Sequence, residues 1–310
     1  MDEQRIYGAL EGLKKKQKRA LSRAISIVEN HEEGMEIVLD YAYQNMNDNA
    51  LLIGITGPGG AGKSTTVDKV IEEFRKRDMK VGVMAVDPSS PYTGGAFLGD
   101  RIRMFKHSSD DGVYIRSFGS RGAMGGISEG TKNALYLFKN YDFDVILIES
   151  LGIGQDETEI TNFVDVTVVT VVPGFGDSVQ IAKAGMQEIA DIFVINKADK
   201  PDAQMYYNQM KEQLLSIPEE IRPLILTTIA TTGKGIPEMV DALIDVGNRQ
   251  ITKRQQKEEA RVRSEIRSQL LDRLAERLED DVEALAEDVL DKKMTPFEAS
   301  RKIDAKVTIG

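Results

Sequence analysis

Three groups of residues in this chain have the types and spacing for phosphate and metal chemistry. The first is Gly57, Pro58, Gly59, Gly60, Ala61, Gly62, Lys63, Ser64 and Thr65, directly after the apolar run LLIGIT at 51–56. It fits G-x-x-x-x-G-K-[ST], with Gly57, Gly62, Lys63 and Ser64 at the fixed positions. Glycines let the backbone curl until several N–H groups point at one phosphate, and the following helix adds its positive N-terminus. Lys63 would reach the terminal phosphates and the Ser64 hydroxyl would ligate Mg²⁺. A glycine-rich turn with no ligand is the alternative, and the strand-loop-helix setting argues against it.

The second group is NKAD at 196–199. A carboxylate at Asp199 can accept hydrogen bonds from the ring N–H and exocyclic amine of guanine, two donors that adenine lacks. Polar pairing of this kind discriminates by factors of about 10⁴, so the motif points to GTP over ATP. Asn196 would brace the loop and the Lys197 stem would lie on the base. Ala230, in IATTGKGI at 229–236, is expected in a second base-contacting loop. The third group is acidic: Asp87 ends a strand, Asp100 lies in the glycine-rich stretch after it, and Glu149 ends VILIE. Carboxylates at strand ends near a γ-phosphate hold the waters of Mg²⁺ or orient an attacking water. Two further glycine-rich stretches, RSFGSRGAMGGIS at 116–128 and PGFGDSVQIAKAG at 173–185, are candidate switch loops or ordinary connectors.

These groups need a frame. Short apolar runs at 51–56, 81–86, 113–118, 145–150, 166–172, 192–196 and 224–229 alternate with stretches mostly long enough for a crossover helix. Runs apolar on both faces imply a doubly wound α/β fold with a mostly parallel sheet, its ligand at the carboxyl ends of the strands. Leu10, Leu13, Leu21, Ala24, Ile25 and Val28 predict a helical segment before it. After about residue 248, Val262, Ile266, Leu270, Leu274 and Leu278, then Val282, Leu285 and Val289, predict a long amphipathic helix followed by another. The expected division is a helical extension at 1–48, a P-loop domain at 49–248 and a helical arm at 249–310, the arm a dimerisation device or a packing extension.

Composition narrows the chemistry. Forty Lys and Arg against 50 Asp and Glu give −10, a field that repels nucleic acid and anionic membranes, so phosphate must be held locally. With no Cys and two His, thiolate chemistry is excluded and a zinc or nickel site is short of ligands. The start of the chain has no signal-like apolar run and nothing approaches a membrane span, which predicts a cytoplasmic protein.

GITGPGGAGKST, VDPSSPYTGGAFLGDRIRM, RSFGSRGAMGGIS, ESLGIGQDE and PGFGDSVQIAKAGMQEIADIFVINKAD together resemble the G-protein chaperones of adenosylcobalamin-dependent methylmalonyl-CoA mutase. This family includes MeaB, the ArgK proteins once labelled arginine/ornithine transport ATPases, and the methylmalonic aciduria type A protein. The resemblance covers nearly the whole chain. It implies a Mg²⁺-dependent P-loop GTPase of the SIMIBI class, homodimeric through its C-terminal arm, that gates cofactor loading and removal of inactivated cofactor on a mutase. Carried over, 57–65 bind phosphates, Ser64, Asp87, Asp100 and Glu149 match the magnesium and catalytic acidic positions, and Asn196, Lys197 and Asp199 match the guanine motif. Asp177 and Lys183 match the segment that senses the mutase. Ser150 stands where the family commonly has Thr, and Ala96-Phe97 where Ser-Ile is commoner; the client, whether methylmalonyl-CoA mutase or a related mutase, stays open.

The expected reaction is in-line attack of water on the γ-phosphate, with Lys63 and backbone N–H groups stabilising charge. Glu149 would position that water or hold the metal through its waters. Arg116 and Arg121, in a glycine-rich stretch, are candidates to enter the site when a partner binds. The alternative function is a P-loop kinase or ATPase that phosphorylates a partner protein.

Overall fold

The structure, a computed structural model, describes residues 2–87, 105–107, 109–120, 128–150, 158–174 and 189–307. Strands β1 (Leu51–Thr56), β2 (Val81–Asp87), β3 (Val113–Gly119), β4 (Val145–Glu149), β5 (Val166–Val171), β6 (Ile192–Ile195) and β7 (Leu224–Thr227) form one seven-stranded sheet in the order β3-β2-β4-β1-β5-β6-β7. Every pairing is parallel, with Ile55 opposite Glu149 and Ala85 opposite the same residue on the other side. β1 lies at the centre. All strands therefore end at one edge.

A parallel sheet must be covered on both faces, and alternation along each strand sorts residues between two layers. Ile53, Ile55, Val83, Val113, Leu147, Val168 and Val194 pack under α4 (Lys63–Lys76) and α8 (Ile236–Arg249). On the opposite face Leu52, Met84, Tyr114, Phe118, Ile146 and Ile148 meet α1 (Asp2–Lys14), α2 (Lys18–Glu29), α3 (Met35–Gln44) and α5 (Glu129–Asn140). One short helix, α6 (Thr158–Thr161), precedes β5, and α7 (Ala203–Leu214) covers Val169, Phe193 and Ile195.

The N-terminal stretch expected as one helical segment is two helices. Lys16 takes a left-handed φ of 51° between them and turns α2 back on α1. The stripe read at three- and four-residue spacing is thus shared by two partners whose apolar faces meet the sheet, with Leu13, Leu21, Ala24, Ile25 and Val28 fully buried. Chain contacts divide the molecule into a unit from Met1 to Arg254 and a second from Gln255 to Gly310. The stripe from Val262 to Val289 lies on a single 40-residue helix, α9 (Ile251–Leu290), and the second helix of the tail is α10 (Pro296–Val307). Among the described residues no helix is long and apolar enough to cross a membrane.

Between β2 and β3 a short turn, Phe105–His107, lies against α4. Lys106 and Lys69 both donate to the carboxylate of Glu72. Burial alone would raise this carboxyl, but the hydrogen bonds and charges of the two lysines outweigh it and hold it down at about 2.

Two outcomes follow from this packing. Leu21→Ala should cost about 2–5 kcal/mol, and because α2 shares a core with the sheet, urea unfolding followed by circular dichroism should show the whole main transition moving to lower urea rather than an early partial step. The ionised Glu72 contributes stability above its ordinary value of 4.5 and loses that contribution as pH falls toward 2. Wild type should therefore exceed Glu72→Gln in urea midpoint at neutral pH, with the gap closing between pH 4.5 and 2.

Candidate functional site

The phosphate loop leaves the end of the central strand and runs into α4. Two of its glycines are required by contact. Gly57 has φ +132°, and a Cβ there would stand 2.1 Å from the Thr170 carbonyl oxygen of β5. Gly62, at φ +90°, would drive a Cβ to 2.4 Å from the amide nitrogen of Asn196. Pro58, Gly59 and Gly60 form the turn between them, the last two exposed, and Ala61 is buried. Lys63 opens α4 and donates to the Gly57 carbonyl at 2.7 Å and the Pro58 carbonyl at 3.4 Å, so its ammonium sits inside the curl of the loop. Ser64 and Thr65 follow in the first helical turn.

Ser64 faces β4. Its Oγ donates to Glu149 Oε1 at 2.7 Å, joining the helix start to a carboxylate that is buried at the strand end. Beside it Ser150 Oγ donates to Thr56 Oγ1 at 2.7 Å, so the residue that departs from the resembled pattern ties β4 to the strand feeding the loop. Hydroxyl and carboxylate oxygens are the hard donors that Mg²⁺ takes, and this pair fits such an ion. Asp87 ends β2 on the same edge, two residues past the partner of Glu149; its side chain lies outside what is described. Asp100, Arg121, Asp177 and Lys183 lie outside the described residues.

Asn196 is the junction of the site. Following β6, it is buried and its side chain makes three bonds: Nδ2 donates to the Ala61 carbonyl at 2.9 Å, and Oδ1 accepts from Thr228 Oγ1 at 3.2 Å and from the Ala230 N–H at 3.1 Å. The phosphate loop, the NKAD turn and the loop holding Ala230 are thus joined through one amide. Lys197, in a left-handed conformation (φ 56°), stretches to the Gly60 carbonyl at 2.9 Å. Asp199 is exposed on the turn beyond it. A cavity of about 480 Å³, lined by Asn47, Lys80, Asp142, Asp144 and Asp165 among others, opens at the amino edge of the sheet and contains none of these residues.

Arg116 requires a correction. Expected in a glycine-rich loop that could enter the site, it lies inside β3, where alternation puts it with Tyr114 and Phe118 on the face opposite α4. Its guanidinium donates to Glu29 Oε2 at 3.0 Å and to Ser26 Oγ at 3.2 Å, tying the edge strand to α2. An arginine facing that layer meets a carboxylate from the N-terminal helices rather than a phosphate. The sequence reading missed Glu29 in this pair, and it missed Thr170, whose carbonyl presses on Gly57. Neither carries a local signal, because the partners are 87 and more than a hundred residues apart.

The family model for the methylmalonyl-CoA mutase-associated GTPase MeaB matches residues 21–283. A Pyrococcus horikoshii protein named as a GTPase is 40% identical over 98% of this chain and 99% of its own. The GTPase ArgK of Escherichia coli is 33% identical over 84% and 83%, and the mouse mitochondrial methylmalonic aciduria type A homolog 34% over 78% and 63%. Among solved structures, the LAO/AO transport system kinase superposes with a TM-score of 0.69 at 25% identity, covering 99% of both chains.

Asn196→Ala would leave the Ala230 N–H and the Ala61 carbonyl without this partner, at a cost of about 1–3 kcal/mol. Nucleotide affinity measured by fluorescence titration of a labelled guanine nucleotide should weaken about 5- to 150-fold while the circular dichroism spectrum is retained.

Proposed function

The chain belongs to the family of methylmalonyl-CoA mutase-associated GTPases, and from that premise we propose that it is a Mg²⁺-dependent GTPase acting as chaperone of an adenosylcobalamin-dependent acyl-CoA mutase, methylmalonyl-CoA mutase being the first candidate. In this reading GTP binding and hydrolysis gate cofactor loading and the removal of inactivated cofactor. The single observation that carries the chemistry is the Ser64 to Glu149 hydrogen bond beside a curled phosphate loop with Lys63 inside it. The name of the mouse relative and the match of the family model support the client.

The chain's residues act as follows. Backbone N–H groups of 57–65 and the Lys63 ammonium hold the β- and γ-phosphates and take up negative charge as it spreads over the equatorial oxygens. Ser64 and Glu149, with Asp87 and Asp100, would hold Mg²⁺, which when bound would offset the negative charge of the phosphates. Water attacks the γ-phosphorus in line, the bond to the β,γ-bridging oxygen breaks, and GDP leaves with phosphate. Glu149 positions that water or keeps the waters of the metal in place. Asn196 braces the base loops, Asp199 accepts from the guanine N–H groups, and Ala230 lines the second base loop. Asp177, Lys183 and Arg121 belong to segments that respond to the client. The helical arm at 249–310 makes a homodimer, a reading supported by exposed Ile266, Leu270, Leu271 and Val282 on α9. The protein acts in the cytoplasm.

The name of the superposing kinase favours one other reading, transfer of the γ-phosphate to a partner protein. Hydrolysis of γ-labelled GTP and ATP with Mg²⁺, alone and with an adenosylcobalamin-dependent acyl-CoA mutase, separates the two. Label released to water from GTP, faster with the mutase, supports the chaperone; label on the mutase supports transfer, and an unchanged rate removes that client. Lys63→Ala should lose detectable turnover, and normal turnover in that variant would overturn the site.

A further inference from the structure

Helix α4 carries more than Lys63 and Ser64. At four, eight and eleven positions beyond Ser64 stand Asp68, Glu72 and Arg75, a spacing that keeps all of them on one side of a helix. Each grips the chain that returns from β2 toward β3. His107 Nε2 lies 2.9 Å from Asp68 Oδ1, and Lys106 Nζ bonds Asp68 Oδ2 and Glu72 Oε1. Arg75 Nε donates to Asp110 Oδ2 at 3.0 Å, and Asp110 Oδ1 accepts the Gly112 N–H one residue before β3. Residues 106–107 and 110–112 form a strap bonded along α4, and its first grip stands one helical turn from Ser64.

The strap is not an ordinary set of surface ion pairs. Asp68 and His107 are 9% and 7% exposed, so their bond is made out of water, where an unmatched polar partner is costly. Asp68, Glu72 and His107 offer three ligand atoms within 4.8 Å of one another, but the Lys106 ammonium already bridges the two carboxylates. The cluster is a clamp and not a cation site.

We propose that Asp68 is a positioning residue for GTP hydrolysis: by holding Lys106 and His107 against α4 one helical turn beyond Ser64, it fixes the start of that helix, where Ser64 meets Glu149. β2 reaches the nucleotide edge at Asp87, and the chain that comes back from that edge toward β3 is bonded at 106–107 to the helix that starts at the phosphate loop. The first turns of α4 and residues 106–107 are therefore one bonded unit. This inference rests on the GTPase assignment.

The test uses the full chain with His107→Ala, His107→Gln, whose amide can still donate to Asp68, and Lys106→Met. Single-turnover GTP hydrolysis, GDP affinity and thermal midpoint are read for each. The expected result is an about tenfold slower hydrolysis in His107→Ala, in the range that small misplacements cost, with GDP affinity within about twofold of wild type and most of the rate restored by His107→Gln. Should the alanine variant not fold, Lys106→Met carries the same expectation of slowed hydrolysis at retained GDP affinity. An unchanged rate, a loss that glutamine does not restore, or rate and GDP affinity falling together would overturn the proposal while leaving the GTPase assignment standing. Wild-type protein that does not turn over GTP would overturn both.

Discussion

Parallel pairing is the constraint on which the rest of this molecule depends. With every strand running the same way, Thr56, Asp87, Glu149, Val171, Ile195 and Thr227 all end at one edge, and the loops that follow them are neighbours whatever their separation in sequence. Such a sheet has two apolar faces, and each must be covered or lose the stabilisation of burial. The helix that follows the phosphate loop covers one face together with α8. The N-terminal helices, which contribute none of the expected nucleotide ligands, are needed to cover the other, where Phe118, Phe138 and Ile146 are fully buried.

Within that edge two short side chains link what the topology brings near. Ser64 joins the phosphate loop to β4 through Glu149, and Asn196 joins it to the base loops through Ala61 and Ala230. Both links are buried or partly buried, so each works at low local dielectric and fixes its neighbours more firmly than an exposed bond would. The phosphate loop, the Ser64–Glu149 pair and the NKAD turn are thus parts of one hydrogen-bonded unit rather than three segments that share a surface. The Arg116 to Glu29 pair does a different task on the far face, fastening the edge strand β3 to α2.

All seven strands were legible as apolar runs, most of them because burial on both faces removes the polar alternation that obscures half-buried strands; β7, half-exposed at the sheet edge, shows through the apolar run at 224–226. The runs overshoot the strand ends: Thr228 and Ile229 leave β7 to begin the loop that holds Ala230, and Asn196 leaves β6 to become the junction. The break between α1 and α2 was not legible, since Lys15, Lys16 and Gln17 are ordinary helix formers and the turn rests on tertiary packing of both apolar stripes. The phosphate and guanine motifs were readable because each is a local backbone device with fixed spacing. The bonds that join them, and the clamp of Asp68 on His107 across 39 positions, exist only after folding and leave no local pattern. Arg116 falls in both the apolar run 113–118 and the glycine-rich stretch from 116; strand pairing and Glu29 decide for the strand.

The central claim is that one hydrogen-bonded edge binds a guanine nucleotide and rejects adenine through the turn that Asn196 holds. Calorimetric titration of the wild-type chain with GDP and with ADP, in buffer containing Mg²⁺, tests it most directly. The account predicts GDP binding about a thousandfold or more tighter than ADP, as expected where buried or fixed polar groups must be matched by the ligand. Equal affinities for the two nucleotides would contradict it.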